Sequence, residues 1–164
     1  MFQNDYYFLN FVPIIANMSS PQFFGYLGAA FAVIFANAGA AYGTAKSSVG
    51  IMNLGLVQPQ KIFRSLIPVI MAGILGIYGL IIAILMAGKV KDNDVKAGYK
   101  QLASGLCCGL SALASGLAIG VVGDHCVRSY AQSEGIYVGM IIMLIFGEAL
   151  GLYGMIIAII MSAS

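Results

Sequence analysis

Tryptophan is missing from this 164-residue chain, histidine occurs once, and only 9% of the residues are Asp, Glu, Lys or Arg. Soluble domains carry about 25% charged residues, so this scarcity of charge excludes a water-exposed globular surface. Without tryptophan, any aromatic belt at a membrane interface is left to Tyr and Phe. The net charge of +2, with its basic residues scattered, leaves no footprint for a nucleic-acid partner. Cysteine is scarce too. Cys107, Cys108 and Cys126 are odd in number, and a pair inside an apolar stretch packs as small residues rather than founding a disulfide framework. No His or carboxylate accompanies Cys107 and Cys108, while His125 and Cys126 make a two-residue cluster expected in a polar turn. Neither has the ligand count of a metal site, so no metal is expected.

What the chain does contain is apolar sequence: 60% of residues are hydrophobic and the mean hydropathy is +0.94. Residues 1–20 lack a positive n-region, Asn10 and Pro13 interrupt their apolar stretch, and no small-x-small site follows. They read as a retained N-terminal tail rather than a secretory signal. The sequon Asn17-Met18-Ser19 lies so near the first span that its modification is not expected.

Four stretches reach the roughly 20 residues needed to cross a bilayer: about Phe23–Ala45, Ser65–Gly88, Leu102–Gly123 and Gly135–Met161. In lipid the backbone must satisfy its own hydrogen bonds, so each is expected to be a helix. Pro68 falls in the first turns of the second, where its missing N–H costs little. Polar connections are expected over 46–64, 89–101 and 124–134. The organisation is thus all-α, with a first hairpin over 21–90, a connecting loop over 91–101 and a second hairpin over 102–164.

Glu148 is the only charged residue in the interior of any span, with thirteen residues of Gly135–Met161 on either side. At about 1.5 Å per residue each flank is about 20 Å long, which places the carboxyl near the bilayer midplane. A charged carboxylate there costs about 3 kcal/mol on insertion scales, and a lone intramembrane acid is a functional group by default.

The even-numbered spans are copies. Gly76–Met86 reads GIYGLIIAILM, Gly151–Met161 reads GLYGMIIAIIM, and eight of these eleven positions are identical. The odd-numbered spans match more faintly, GAAYG at Gly39–Gly43 against GLAIG at Gly116–Gly120. Two hairpins in tandem enter the membrane from the same side, which makes a parallel repeat. In this register Glu148 aligns with Gly73, so one hairpin keeps an acid and the other lacks it. Small residues form strips on the odd helices: Gly105, Gly109, Ala112, Gly116 and Gly120 on the third, and Gly28, Ala32, Ala36 and Ala40 on the first, with Gly25, Gly39 and Gly43 beside them. Such strips let backbones approach closely in lipid. Their density on both odd helices is expected to serve packing between subunits, with the bulky Ile, Leu and Met of the even helices facing outward.

With a duplicated hairpin, glycine-rich odd helices and one acid on the fourth helix, the chain resembles the V-type ATPase proteolipid family in its four-helix c form. The pieces that carry the resemblance are GAAYGTAKSSVGI (Gly39–Ile51), PVIMAGILGIYGLIIA (Pro68–Ala83), GLAIGVVGD (Gly116–Asp124) and IFGEALGLYG (Ile145–Gly154). The resemblance implies a rotor ring made of copies of this chain and related proteolipids, odd helices inside and even helices outside, with Glu148 carrying the proton. It implies an essential arginine on the stator a-subunit, docking to the central-stalk d-subunit, and surrounding lipid. It also implies no cofactor beyond the transported H⁺ and no catalytic role for this subunit. Tyr78 would support the carboxyl by a hydrogen bond. Sodium-carrying relatives place Thr and Gln where this chain has Ile74 and Leu75, which implies H⁺ as the ion. Ser111 and Ser115 are the nearby hydroxyls, and helical serines commonly bond their own backbone. Asp124 and Arg128 are expected in a solvated turn, with docking to the central stalk as the functional alternative. The resemblance implies vacuolar or other endomembranes, lumenal termini, and loops 46–64 and 124–134 in the cytosol. Charge does not decide topology: Lys46, Lys61, Arg64 and Arg128 on one side balance Lys89, Lys91, Lys96 and Lys100 on the other.

Two other functions fit a four-helix apolar chain. A proton-coupled secondary transporter would use one membrane glutamate, but would want aromatic residues around it, and Phe146 alone is thin support. A structural or pore-forming proteolipid ring would leave Glu148 without a role.

Overall fold

In the computed structural model, residues 21–90 and 95–163 are described. The N-terminal tail, its sequon and residues 91–94 of the connecting loop lie outside them. Four long helices follow one another: α1 (Pro21–Val57), α2 (Ile67–Ala87), α3 (Val95–Gln132) and α4 (Ile136–Ala163). Each is long and apolar enough to cross a membrane.

Both odd helices are much longer than their expected spans. At 37 and 38 residues they run to about 55 Å, well beyond a hydrocarbon core of about 30 Å. The cause is a packed seam that continues past the apolar stretch. Ile51 and Leu54 of α1 are buried with Val127 and Tyr130 of α3 and with Met140 and Leu144 of α4. Residues 46–57 and 124–132, expected as loops, are therefore helical. Asp124, His125, Cys126 and Arg128 sit on α3 and not in a turn. α1 ends where Pro59 forces the residue before it out of the helical region: Gln58 has φ −140° and ψ 79°. The chain then passes through two 3₁₀ turns, Pro59–Lys61 and Phe63–Leu66, and Pro68 sits in the first turn of α2.

The most extensive interface joins α1 to α3, and it is glycine against glycine. A Cβ added at Gly105 would run into the backbone of Gly28, one at Gly116 would lie 2.7 Å from Gly39 Cα, and one at Gly120 would lie 3.0 Å from Gly43 Cα. At Gly109 it would lie 2.6 Å from the Phe31 carbonyl oxygen, and at Gly39 2.6 Å from that of Ala112. The glycines of both strips are thus consumed in one interface within the chain, while Ala32, Ala36 and Ala40 of the first strip face α2. The strips were expected to pack between subunits; here their glycines are each other's partner.

A register shift explains this. Gly79 of α2 packs on Ala32 and Ala36 of α1, and Gly154 of α4 packs on Cys107 and Ser111 of α3. Gly76 likewise meets Ala40, and Gly151 meets Ser115. Every equivalent pair is separated by 75 residues: 79 and 154, 32 and 107, 36 and 111, 76 and 151, 40 and 115. The match of GAAYG to GLAIG is displaced by 77 (39 to 116), so it is not the structural equivalence. Two residues turn a helix by about 200°. The matching glycine strips therefore point in opposite directions around the repeat and meet face to face.

Candidate functional site

Glu148 lies midway along α4, half-buried, with exposed neighbours: Ile145 is 53% exposed, Phe146 71% and Leu150 57%. Its side chain turns away from that surface. Both carboxyl oxygens are buried, and neither has a hydrogen-bond partner at ordinary geometry. A buried carboxyl so placed is tolerable as the neutral acid and costly as the anion.

Tyr78 of α2 is the polar side chain that reaches toward it. The two side chains interact as a hydrogen-bonding pair, longer or less well aligned than an ordinary hydrogen bond. The structure thus brings Tyr78 and Glu148 together across the α2–α4 contact, as expected, though not at ordinary hydrogen-bond geometry. Leu75 is fully buried and packs against Gly151: a Cβ there would lie 2.5 Å from Leu75 Cδ2. Neither it nor half-buried Ile74 offers an oxygen.

The serines divide differently from expectation. Ser111 Oγ donates to the Cys108 carbonyl of its own helix at 3.0 Å. Ser115 Oγ instead crosses to the Gly147 carbonyl of α4 at 2.6 Å, one residue before the acid. Ser104 Oγ does the same to the Ala158 carbonyl at 2.7 Å. These cross-helix bonds fix the height and rotation of α4 on α3, and so the position of Glu148. Sequence reasoning missed Ser104 and the cross-helix role of Ser115. Their signal was a hydroxyl on the side of α3 away from its glycine strip, facing small residues of α4.

At the end of the seam, Asp124 is 3% exposed and held by two cations, Lys46 Nζ at 3.2 Å from α1 and Arg128 Nε at 2.7 Å from its own helix. The expected solvated turn is a buried ionic clamp between α1 and α3. Its cause is the helical extension, which carries Asp124 into the packed seam. Beyond it, Lys61 pairs with Glu134 at 3.1 Å and lies 4.9 Å from the Tyr130 ring centre.

The first hairpin has an opening where the second has its acid. Gly73 is exposed, with no atom within 4 Å of an added Cβ. It borders a groove of about 280 Å³ lined by Asn37, Ala40, Gly73, Gly76, Ile77 and Leu80.

Residues 27–86 and 102–161 each match the ATP synthase C-subunit family, one match per hairpin. Curated relatives extend over nearly the whole chain. The V-type proton ATPase 16 kDa proteolipid c-subunit 2 of Caenorhabditis elegans is 56% identical over 146 residues, 87% of this chain and 91% of that protein. The chain belongs to the V-type ATPase 16 kDa proteolipid family. Further members are the 16 kDa proteolipid c-subunit of Ascaris suum, also 56% identical over 146 residues with the same coverage, and that of Rattus norvegicus, 50% identical over 147 residues, 89% of this chain and 95% of that one. Membership makes this proteolipid a non-catalytic rotor component of the membrane sector, Vo.

Proposed function

We propose that Glu148 is the proton-carrying carboxyl of a rotor ring, loaded and unloaded once per turn as the ring passes a stationary subunit. The observation that carries this is a mid-helix acid whose two oxygens are buried, with no hydrogen bond of ordinary geometry and only Tyr78 reaching toward them. Facing lipid, the acid travels neutral, because desolvation disfavours the anion. Facing the stator, water takes the proton and an arginine of the a-subunit stabilises the carboxylate left behind. The difference between those environments couples rotation to proton transfer. Carrying one charge against 100 mV costs about 2.3 kcal/mol, which torque from ATP hydrolysis must supply at each site.

Tyr78 orients the carboxyl: a small change in either side chain closes a hydrogen bond to the acid. Gly73 in the equivalent place leaves one acid per four helices. Fewer protons per turn gives each proton more of the ATP energy, which favours pumping against a steep gradient. Absence of side-chain oxygens at Ile74 and Leu75 supports H⁺ over Na⁺, since sodium needs several oxygens to replace its hydration shell. The partners in this reading are further proteolipid copies, the stator a-subunit, the central-stalk d-subunit and lipid. The membrane is vacuolar or another endomembrane, with the 58–66 and 133–135 connections cytosolic and the termini lumenal. The α1 and α3 extensions, clamped by Asp124, form the cytosolic platform that the central stalk meets.

The test is Glu148→Gln. The amide keeps shape and polarity but cannot release a proton, so complexes should assemble normally while ATP-driven acidification falls to background. A hydrophobic carbodiimide should label Glu148 and spare the salt-bridged Asp124 and Glu134. Acidification at wild-type rates in the variant would refute the assignment.

A further inference from the structure

The ionic clamp at the end of the α1–α3 seam holds more positive charge than its acid can neutralise. Asp124 binds Lys46 through one carboxylate oxygen and Arg128 through the other, at 3.2 and 2.7 Å. Two cations on one anion leave a net positive charge. The acid is buried but its cations are not: their side chains are 40% and 45% exposed. We propose that Lys46 and Arg128 hold the phosphate of an acidic phospholipid against the face of the α1–α3 pair turned away from α2 and α4.

Depth supports this. Ser115 bonds the carbonyl beside Glu148, so it marks the height of the acid. Asp124 and Arg128 follow nine and thirteen residues later on α3, about 14 and 20 Å further along the helix. With Glu148 at the midplane, hydrocarbon ends at about 15 Å and headgroups at about 20–22 Å. The clamp thus stands in the phosphate layer of the leaflet beside the 58–66 and 133–135 connections.

The face is set by helix rotation. Ala40 lies against Gly76 of α2, and Tyr42, two residues on, is turned about 200° from it. Tyr42 and Lys46 instead lie over Gly120 of α3, at 3.4 and 3.2 Å from an added Cβ. Ser115 faces α4, and Arg128 is turned about 220° from it. Between the cations and the midplane this face is apolar, with Tyr42, Leu117 and Val121 all exposed. Cations above an apolar slope fit a ligand with a phosphate at one end and acyl chains at the other.

The chemistry suits phosphate. Arg128 meets Asp124 through Nε, and a guanidinium carries four more N–H donors on its terminal nitrogens, in the planar fork that matches phosphate oxygens. Asp124 fixes both cations in advance, which lowers the cost of ordering them around a ligand. A zwitterionic headgroup brings a cation of its own to compete, so an acidic lipid is preferred.

The experiment counts retained lipid. Complexes containing the chain are purified from membranes in mild detergent, and their native phospholipids are extracted, separated by headgroup charge and counted per chain. The parent should be enriched in acidic phospholipid over the surrounding membrane. Arg128→Gln leaves Asp124 its bond to Lys46 and should lower that enrichment about fivefold, the fold-change equivalent to about 1 kcal/mol per basic residue at an anionic surface. Lys61→Gln removes a cation already paired with Glu134 and should change nothing. Asp124→Asn loosens the clamp but removes its negative charge, so the acidic lipid should stay. No enrichment in the parent, or equal enrichment in parent and Arg128→Gln, would overturn the proposal. So would a loss in Asp124→Asn as deep as in Arg128→Gln, which would make retention a matter of clamp integrity. Unchanged lipid together with loss of a protein subunit from Arg128→Gln complexes would assign the two cations to a protein partner instead.

Discussion

Replacing Gly116 with alanine adds one methyl group at one of the closest backbone approaches of the α1–α3 seam. The new Cβ would lie 2.7 Å from Gly39 Cα and closer still to the Gly39 carbonyl. Both are backbone atoms, so no side chain can swing aside. Ordinary contact needs about 3.5 Å or more, so α1 must withdraw by roughly 1 Å. A helix moves as a unit, and the withdrawal would also open the contacts of Gly28 with Gly105 and of Gly43 with Gly120. Overpacking of this kind costs about 1–3 kcal/mol, equivalent to roughly 5- to 150-fold in a two-state population. Gly139→Ala is the matched control, because its added Cβ has no atom within 4 Å. There the change only improves helix propensity, by up to about 1 kcal/mol. The assay is the amount of each variant recovered in intact membrane complexes, with the melting temperature of the detergent-solubilised complex. Gly116→Ala should lower both and Gly139→Ala neither. Equal recovery and equal melting for the two would show that backbone contact between α1 and α3 is not what holds the hairpins together.

Ser115→Ala should weaken the α3–α4 contact by about 0.6–1.7 kcal/mol and lower proton transport by misplacing Glu148; unchanged melting and acidification would show that its bond to Gly147 does not position the acid. Ser111→Ala, which removes a bond within one helix, should be near neutral by both measurements. Asp124→Asn should cost about 1–3 kcal/mol, since Lys46 and Arg128 lose the buried negative charge between them and one of its two accepting oxygens; equal melting of variant and parent would show the clamp to be dispensable. Carbodiimide labelling of Glu148 at fixed pH should not change across a millimolar sodium series, and protection by sodium but not by potassium would overturn the choice of proton.

Much of this protein was set by composition and period alone. Scarce charge and four apolar stretches leave no alternative to membrane helices, because an unpaired backbone is intolerable in lipid. Eight identities in eleven residues fix the duplication of the even helices, and a single acid among apolar residues marks itself. These are local or composition-level signals, legible without knowing what touches what. The rest depended on packing between distant segments. The helical ends at Val57 and Gln132 follow from Ile51, Leu54, Val127 and Tyr130 burying one another, which polar spacers in the sequence concealed. Asp124 reads as a loop residue because its partner Lys46 lies on another helix. The odd-helix repeat reads two residues out of register because glycine motifs align best at a displacement of 77, whereas contacts obey 75. Sequence matching counts identities, but a helix turns about 100° per residue. A shift of two, trivial in an alignment, decides whether two glycine strips face each other or face apart, and only the tertiary structure could decide it.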